Sequence, residues 1–325
     1  MKRIFALTLS VALMNVGLMA DDVDLKDTYL DPATAPIDYQ IQGEYEGTAG
    51  PDSLKFGVQV IALGDGKFRL ISYGDGLPSA DVSHKNIKTE IDGELQGDAA
   101  VFANDLFNVE ISNGELKVST AADGILRGTL SKVQRESDTL GAKPPADALV
   151  LFDGSSAGAF ENGKLQGDLL AANCFSKEKF GDHTLHLEFR TPFKPKARGQ
   201  ARGNSGVYMQ SRYELQVLDS FGLAGKNNEC GGIYQIAEPN VNMCFPPLQW
   251  QTYDIDFTAA RYDDQGNKTK NARATIRHNG VVIHDDLELP HGTPGRHPEG
   301  PEPDALYLQG HGNPVVYRNI WVVKK

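Results

Sequence analysis

Three cysteines, Cys174, Cys230 and Cys244, are all that the 325 residues contain. An odd number cannot pair fully within one chain, so this is no disulfide-stapled scaffold, and the spacing fits no zinc motif. Cys230 and Cys244 bracket a short loop, which leaves two readings open for them: a disulfide in an oxidising compartment, or buried free thiols. Basic charge is also short, with 32 Lys and Arg against 43 Asp and Glu, a net charge of −11. Such a surface repels phosphate backbones and gives no grip on nucleic acid; a neutral ligand suits it better. Runs of helical period are missing, and beyond the N-terminus no apolar run is long enough to cross a membrane. The glycine-rich ARGQARGNSG stretch is followed by no helix and no Gly-Lys-Ser/Thr, so it reads as a rim loop rather than a phosphate loop.

At the N-terminus, Lys2 and Arg3 precede an apolar run from Ile4 to Val16, and a cleavage point follows Ala20. Residues 1–20 are therefore expected to be a signal peptide, and the protein to be exported to the periplasm, cell envelope or medium. Without Lys2 and Arg3 the net charge becomes −13. Short alternating runs such as KFGVQVIAL, GKFRLISYG and NVEISNGELKVST fill residues 25–135, separated by Gly, Asn and Asp turn signals. This predicts a small all-β domain with an Asn113-Gly114 hairpin turn. A spacer, a partner-binding module and an accessory sugar-binding module are equally open for it, and its lone His84 reads as a loop residue. Residues 136–146, with Pro144 and Pro145, lose periodicity and are expected to link the domains.

From 147 to 325 the pattern is again strand-like, and Asn279-Gly280 marks another hairpin. Many strands at short intervals predict two sheets packed face to face, a jelly-roll or lectin-like sandwich, so the mature chain as a whole is all-β.

Within it, YELQVLD carries the densest chemistry. Side chains alternate along a strand, so Glu214 and Gln216 should share a face, with Tyr213, Leu215 and Val217 on the other. Asp219 follows, where a turn at Ser220 would swing it toward the same cleft. The plainer reading makes Glu214 a solvated carboxylate and Asp219 a turn former. Near the C-terminus, Tyr307, Gln309 and His311 are spaced by two, which puts a phenol, an amide and an imidazole on one face. His311 suits a base near neutral pH, and equally a turn residue between Gly310 and Gly312. Arg318 is expected either to clamp Glu214 or Asp219 or to meet a ligand. His183 and His186 should face opposite ways, and His278, His284, His291 and His297 are expected at the surface.

The segments LFDG (Leu151–Gly154), FGDHTLHLEFR, GNSGVYMQSRYELQVLDS, GGIY, Trp250 with Thr252, HNGVVIHD and LQGHGNPVVYRNI occur in that order. Together they make residues 147–325 resemble the 3-keto-disaccharide hydrolase family. The resemblance implies a concanavalin-like jelly roll and cleavage of glycosides oxidised at carbon 3. It implies a groove containing Glu214, Gln216, Asp219, Gln309 and His311, with His311 or Glu214 as base. Gln216, Gln309 and Arg318 would bind hydroxyl or enolate oxygens, and Asn204, Tyr208 and Trp250 would add sugar contacts. No cofactor is certain; a divalent cation held by Glu214, Asp219 and His311 is one possibility. The chain departs from the family pattern at Gln251 after Trp250, at Ala159 and Phe160 where a tryptophan is usual, and at Gly310.

Two other functions share this architecture: a lectin that binds sugar without turning it over, and an envelope scaffold whose first domain docks a partner. An imidazole beside a carboxylate favours the enzyme.

Overall fold

The computed structural model describes residues 25–50 and 52–325, without the side chain of His84; the expected signal peptide lies outside them. The first unit is a closed barrel of eight antiparallel strands in sequence order: β1 (Gly43–Ala49), β2 (Leu54–Gly64), β3 (Lys67–Gly74), β4 (Ile87–Gln96), β5 (Ala99–Ala103), β6 (Phe107–Ser112), β7 (Glu115–Thr120) and β8 (Leu126–Val133). Strand β8 closes back on β1 from Glu44 opposite Val133 to Ala49 opposite Gly128. Closure leaves no unpaired edge to aggregate. Its β6–β7 turn has positive φ at both Asn113 and Gly114, as a two-residue hairpin requires. A single helical turn, α1 (Ile37–Ile41), sits over one end, where Gln42 Oε1 accepts from Ala62 N and the Tyr45 hydroxyl donates to Ile41 O.

Residues 137–142 are no free tether. Ser137 Oγ lies 2.6 Å from Thr252 Oγ1, Thr139 Oγ1 donates to Asp254 Oδ2 at 2.6 Å, and Gly141 N donates to Glu188 Oε1 at 2.6 Å.

The second unit is a sandwich of antiparallel sheets. Its strands are β9 (Leu149–Phe152), β10 (Phe160–Glu161), β11 (Leu165–Gln166), β12 (Leu169–Ala171), β13 (Cys174–Phe180), β14 (His183–Arg190), β15 (Ser205–Met209), β16 (Tyr213–Val217), β17 (Gln251–Thr258), β18 (Arg261–Tyr262), β19 (Lys268–Lys270), β20 (Ala272–His278), β21 (Val281–Leu289), β22 (Asp304–Leu308) and β23 (Val316–Lys324). The smaller sheet runs β10-β13-β22-β15-β16; the larger runs β11-β12-β23-β14-β17-β20-β21, with β9 also on β23. Between them lies one apolar core, built from alternate residues such as Val207, Leu215 and Leu308 on one side and Leu185, Phe189, Ile255 and Tyr317 on the other. Alternation thus leaves each sheet a second, outward face that is free to carry polar groups.

Barrel and sandwich share a seam. Phe193 and Leu248 belong to the barrel's apolar cluster, and Phe193 pairs through its backbone with Tyr29 and packs edge-on against Tyr39.

Two expectations change, and one open choice is decided. His278 and His284 are not at the surface: His278 Nε2 bonds Gln251 Oε1 at 2.9 Å beside Phe189 and Tyr253, and His284 Nε2 donates to Gly231 O at 2.7 Å. Burial lowers the pKa of His278 to about 3, so it is neutral. Cys174, Cys230 and Cys244 are all buried free thiols.

Candidate active site on the outward face of the smaller sheet

Glu214 and Gln216 stand on the outward face of β16, while Tyr213, Leu215 and Val217 enter the core. The ladder places Tyr208 of β15 opposite Glu214, Gly206 opposite Gln216, and Tyr307 of β22 opposite Tyr208. The same face therefore gathers Glu214, Gln216, Tyr208 and Tyr307. Gln309, just past β22, joins them because its N–H donates to Gly206 O at 2.8 Å, and its Nε2 donates to the Tyr208 hydroxyl at 3.2 Å.

This face is not open water. The segment around Thr293 to His297 lies over it: Thr293 Oγ1 accepts from Glu214 N, the Tyr208 hydroxyl donates to Pro294 O, and Arg296 donates to the Tyr307 hydroxyl. The Arg296 guanidinium sits 4.2 Å above the Tyr307 ring, which itself stacks on Phe175 at 4.2 Å. His297 adds a second ring over Phe175 and bonds Asp304 at 2.8 Å.

Burial dominates the electrostatics. Glu214 is 3% exposed. Loss of hydration pushes its pKa up to about 7, against the opposing pull of the Tyr208 and Gln309 donors and the Arg296 charge. The Tyr208 phenol is raised by the same burial and by the adjacent carboxylate, so it stays a proton donor. Three buried amide oxygens, Asn204 Oδ1, Gln216 Oε1 and Gln309 Oε1, have no hydrogen-bond partner among the described residues. Unpaired buried acceptors are costly and uncommon, and hydroxyl donors of a polyol would satisfy them. At Gly206 a Cβ would lie 2.6 Å from Glu214 Oε1 and 3.3 Å from Gln309 Oε1, so the bare backbone makes room for both.

His311 lies in the turn after β22. It is exposed, its carbonyl accepts from Asn313 Nδ2 at 2.9 Å, and its ring has no hydrogen-bond partner among the described residues. Strand β22 stops at Leu308, and Gly310 follows because Asn173 crowds it: a Cβ there would lie 2.4 Å from that of Asn173. The imidazole is thus exposed and is not hydrogen-bonded to Glu214.

Three sequence-predicted residues lie elsewhere. Asp219 does not swing into the cleft. It is buried in the seam with the barrel, where Arg202 Nε bonds its Oδ2 at 2.7 Å and Arg202 Nη1 reaches Ala62 O at 3.1 Å. Arg318 clamps neither Glu214 nor Asp219: its Nε bonds Glu188 Oε2 at 2.6 Å, on the outward face of the larger sheet. Trp250 is there too, with the Arg318 guanidinium 3.9 Å from its ring and that of Arg190 at 5.0 Å. The whole sandwich core separates these two from Glu214.

That second polar assembly is self-satisfied. His186 Nδ1 lies 2.6 Å from Asp254 Oδ1, and Asn319 and Gly141 both donate to Glu188. Burial alone would raise Glu188, but hydrogen bonds from His186, Asn319, Arg318 and Gly141 outweigh it and hold the carboxyl at about 2. These groups are occupied with one another.

Among the described residues no three His, Cys, Asp or Glu side chains converge as a metal site. Glu214, Asp219 and His311, the ligand set expected from the sequence, do not converge.

Sequence comparison matches residues 147–323 to the 3-keto-alpha-glucoside-1,2-lyase-like domain, more than half of the chain. Among solved structures, a candidate glycosyl hydrolase from Parabacteroides distasonis is similar at 29% identity, with a TM-score of 0.51 over 56% of this chain and 85% of that one. Two further candidate glycosyl hydrolases of the same organism align at 13% and 19% identity, covering 55% of this chain and 94% and 99% of theirs, with TM-scores of 0.40 and 0.39. Comparison with curated proteins returns no match.

Proposed function

Since the chain belongs to the 3-keto-alpha-glucoside-1,2-lyase-like domain family and is glycosidase-like in its second unit, we propose that it cleaves 3-keto-glycosides with Glu214 as the base. The observation that carries this reading is a buried carboxyl, pushed up to about 7 by its lost hydration, on the same sheet face as the unpaired amide oxygens of Gln216 and Gln309.

A ketone at carbon 3 acidifies the hydrogen on carbon 2. Glu214 takes that proton, and the C–H electron pair moves into an enolate whose charge rests on the carbon 3 oxygen. A base poised near the working pH balances availability against driving force. Arg296 and the Tyr208 hydroxyl supply positive charge and a donor at this face. Collapse of the enolate breaks the carbon 1 to oxygen bond and forms a double bond between carbons 1 and 2. The departing oxygen needs a proton, and His311, at the solvent side, is assigned to supply it. Water then adds at carbon 1 and gives up a proton to restore His311, and carbon 2 regains its proton from Glu214. Asn204, Gln216 and Gln309 accept from sugar hydroxyls and set the ring's orientation.

The basic and then apolar opening of the chain supports export, and N-terminal sequencing of the secreted protein would test for a start at Asp21.

The decisive assay offers purified protein 3-keto-trehalose, 3-keto-sucrose and both parent sugars, with and without chelator. Product from the keto sugars alone, lost in Glu214→Gln, supports the proposal. Tight binding with no turnover of any of them would make the protein a lectin and end it.

A further inference from the structure

Eight-stranded barrels are either filled by side chains or hold one small ligand. Here the two ends differ. Toward α1 the lumen is filled by Ile41, Tyr45, Phe68 and Phe102, with Phe193 and Leu248 closing it from the sandwich. At the opposite end, among the β1–β2, β5–β6 and β7–β8 turns, an open cavity of about 540 Å³ runs inward. That volume lies within the range of about 300 to 1,000 Å³ common for small-molecule sites. Its wall is aliphatic and aromatic carbon, chiefly Phe56, Val58, Leu70, Val109, Leu116 and Leu130. Cavities of this kind do not hold water well and take up apolar molecules instead.

Two features of the mouth narrow the ligand. Lys88 and Arg127 both line it, each beside a break in strand register: Ser72/Tyr73 against β4 and Val118/Ser119 against β8. A bulge of this sort re-aims a side chain. Neither residue forms an ion pair among the described residues, although the whole chain carries a net −11. The nearby Asp123 is held in its own turn by Thr120 Oγ1 and Ile125 N, and the Arg127 charge acts on it only as a lesser influence, without an ion pair. Around the same mouth stand exposed aliphatic side chains, Leu54 at 58%, Leu106 at 73%, Ile125 at 50% and Leu126 at 57%. They carry the apolar surface out to solvent, so a hydrocarbon chain can enter without crossing a polar collar.

We infer that the barrel binds a single-chain amphiphile, its hydrocarbon tail in the lumen and its anionic head between Lys88 and Arg127.

The test uses the full chain and cis-parinaric acid, whose fluorescence rises in an apolar site. Saturated carboxylates of 8 to 18 carbons, the matching primary alcohols and lysophosphatidic acid compete for it. Saturable one-to-one binding is expected, tightening about fourfold per added methylene until the tail outgrows the cavity. Carboxylates should outcompete alcohols about tenfold, and the double change Lys88→Gln with Arg127→Gln should erase that preference while leaving alcohol binding unchanged. Val109→Trp should fill the lumen and abolish both; should it fail to fold, the rim variant decides alone. Relative competition by a fatty acid and by lysophosphatidic acid tells a free acid from a lipid as the source of the chain. Glu214→Gln should leave all of this unchanged, so failure here is separate from failure at the sugar site. Absence of saturable binding, or a carboxylate preference that survives the rim variant, overturns the inference.

Discussion

Tyr208 of β15 stands directly across the ladder from Glu214 of β16, so a phenol donor and a buried carboxyl face the same side of one sheet. Their positions are fixed by backbone pairing rather than by a mobile loop, which is how strands hold reacting groups at short range.

Glu214→Gln should lower turnover of 3-keto-glycosides by about 10²- to 10⁴-fold, the usual worth of a general base. The wild-type rate should rise with pH through about 7 as the carboxyl ionises. Stability should move the other way. The folded pKa of about 7 exceeds the ordinary carboxyl value of 4.5, so the folded state holds a proton that the unfolded state has lost, and stability falls between those pH values. At pH 8 the neutral amide should therefore stabilise the fold by up to roughly 3 kcal/mol, and below pH 4 by nothing. Denaturant titrations of both proteins at pH 4 and pH 8 check the sign.

Gly206→Ala places a methyl 2.6 Å from Glu214 Oε1. Displacing the carboxylate by a fraction of an ångström to an ångström should reduce kcat/KM on the order of 10²-fold. Circular dichroism should remain that of the wild type; a collapse of the fold instead would assign Gly206 to packing.

Asp219→Asn breaks a buried ion pair and strands the Arg202 charge. The expected cost is about 3 to 5 kcal/mol, read from the denaturation midpoint. Because Arg202 also bonds Ala62 O of the barrel, the loss should appear in both units, while specific activity of the folded fraction is retained. An activity loss with full stability would return Asp219 to the reaction.

The three thiols should be inert to a thiol-specific disulfide reagent in the native protein and react with three equivalents once it is unfolded. Burial raises Cys174 to about 12, leaving almost no thiolate at neutral pH. Rapid labelling of the native chain would show that the sandwich core opens readily.

The sequence was legible where period-two alternation held. Glu214 and Gln216 could be put on one face because Tyr213, Leu215 and Val217 so plainly want the other. Alternation names a face, however, and not a sheet: Arg318 of β23 lies outward as its strand allows, but on the larger sheet, against Glu188 and the Trp250 ring that precedes β17. Past a strand end it names nothing. Asp219 and His311 both sit beyond that point, and only long-range partners, Arg202 for one and the Asn173–Gly310 packing for the other, decide where they go. Arg296 lies in an aperiodic Gly- and Pro-rich stretch and gave no signal. His278 and His284 looked like hairpin polar residues because their acceptors, Gln251 and Gly231, are distant in sequence. The barrel strands were each readable; their closure of β8 onto β1 was not, since no local feature encodes it.

Phe193 carries a practical consequence. It grows from the sandwich yet is wholly covered by Tyr29, Tyr39 and the barrel's interior. A fragment trimmed to begin at residue 147 would bare that ring together with Leu248 and leave Arg202 without its acceptor on Ala62. Exposed aromatic surface of this kind promotes self-association. Anyone preparing the sugar-cleaving half alone should expect precipitation unless those positions are made polar.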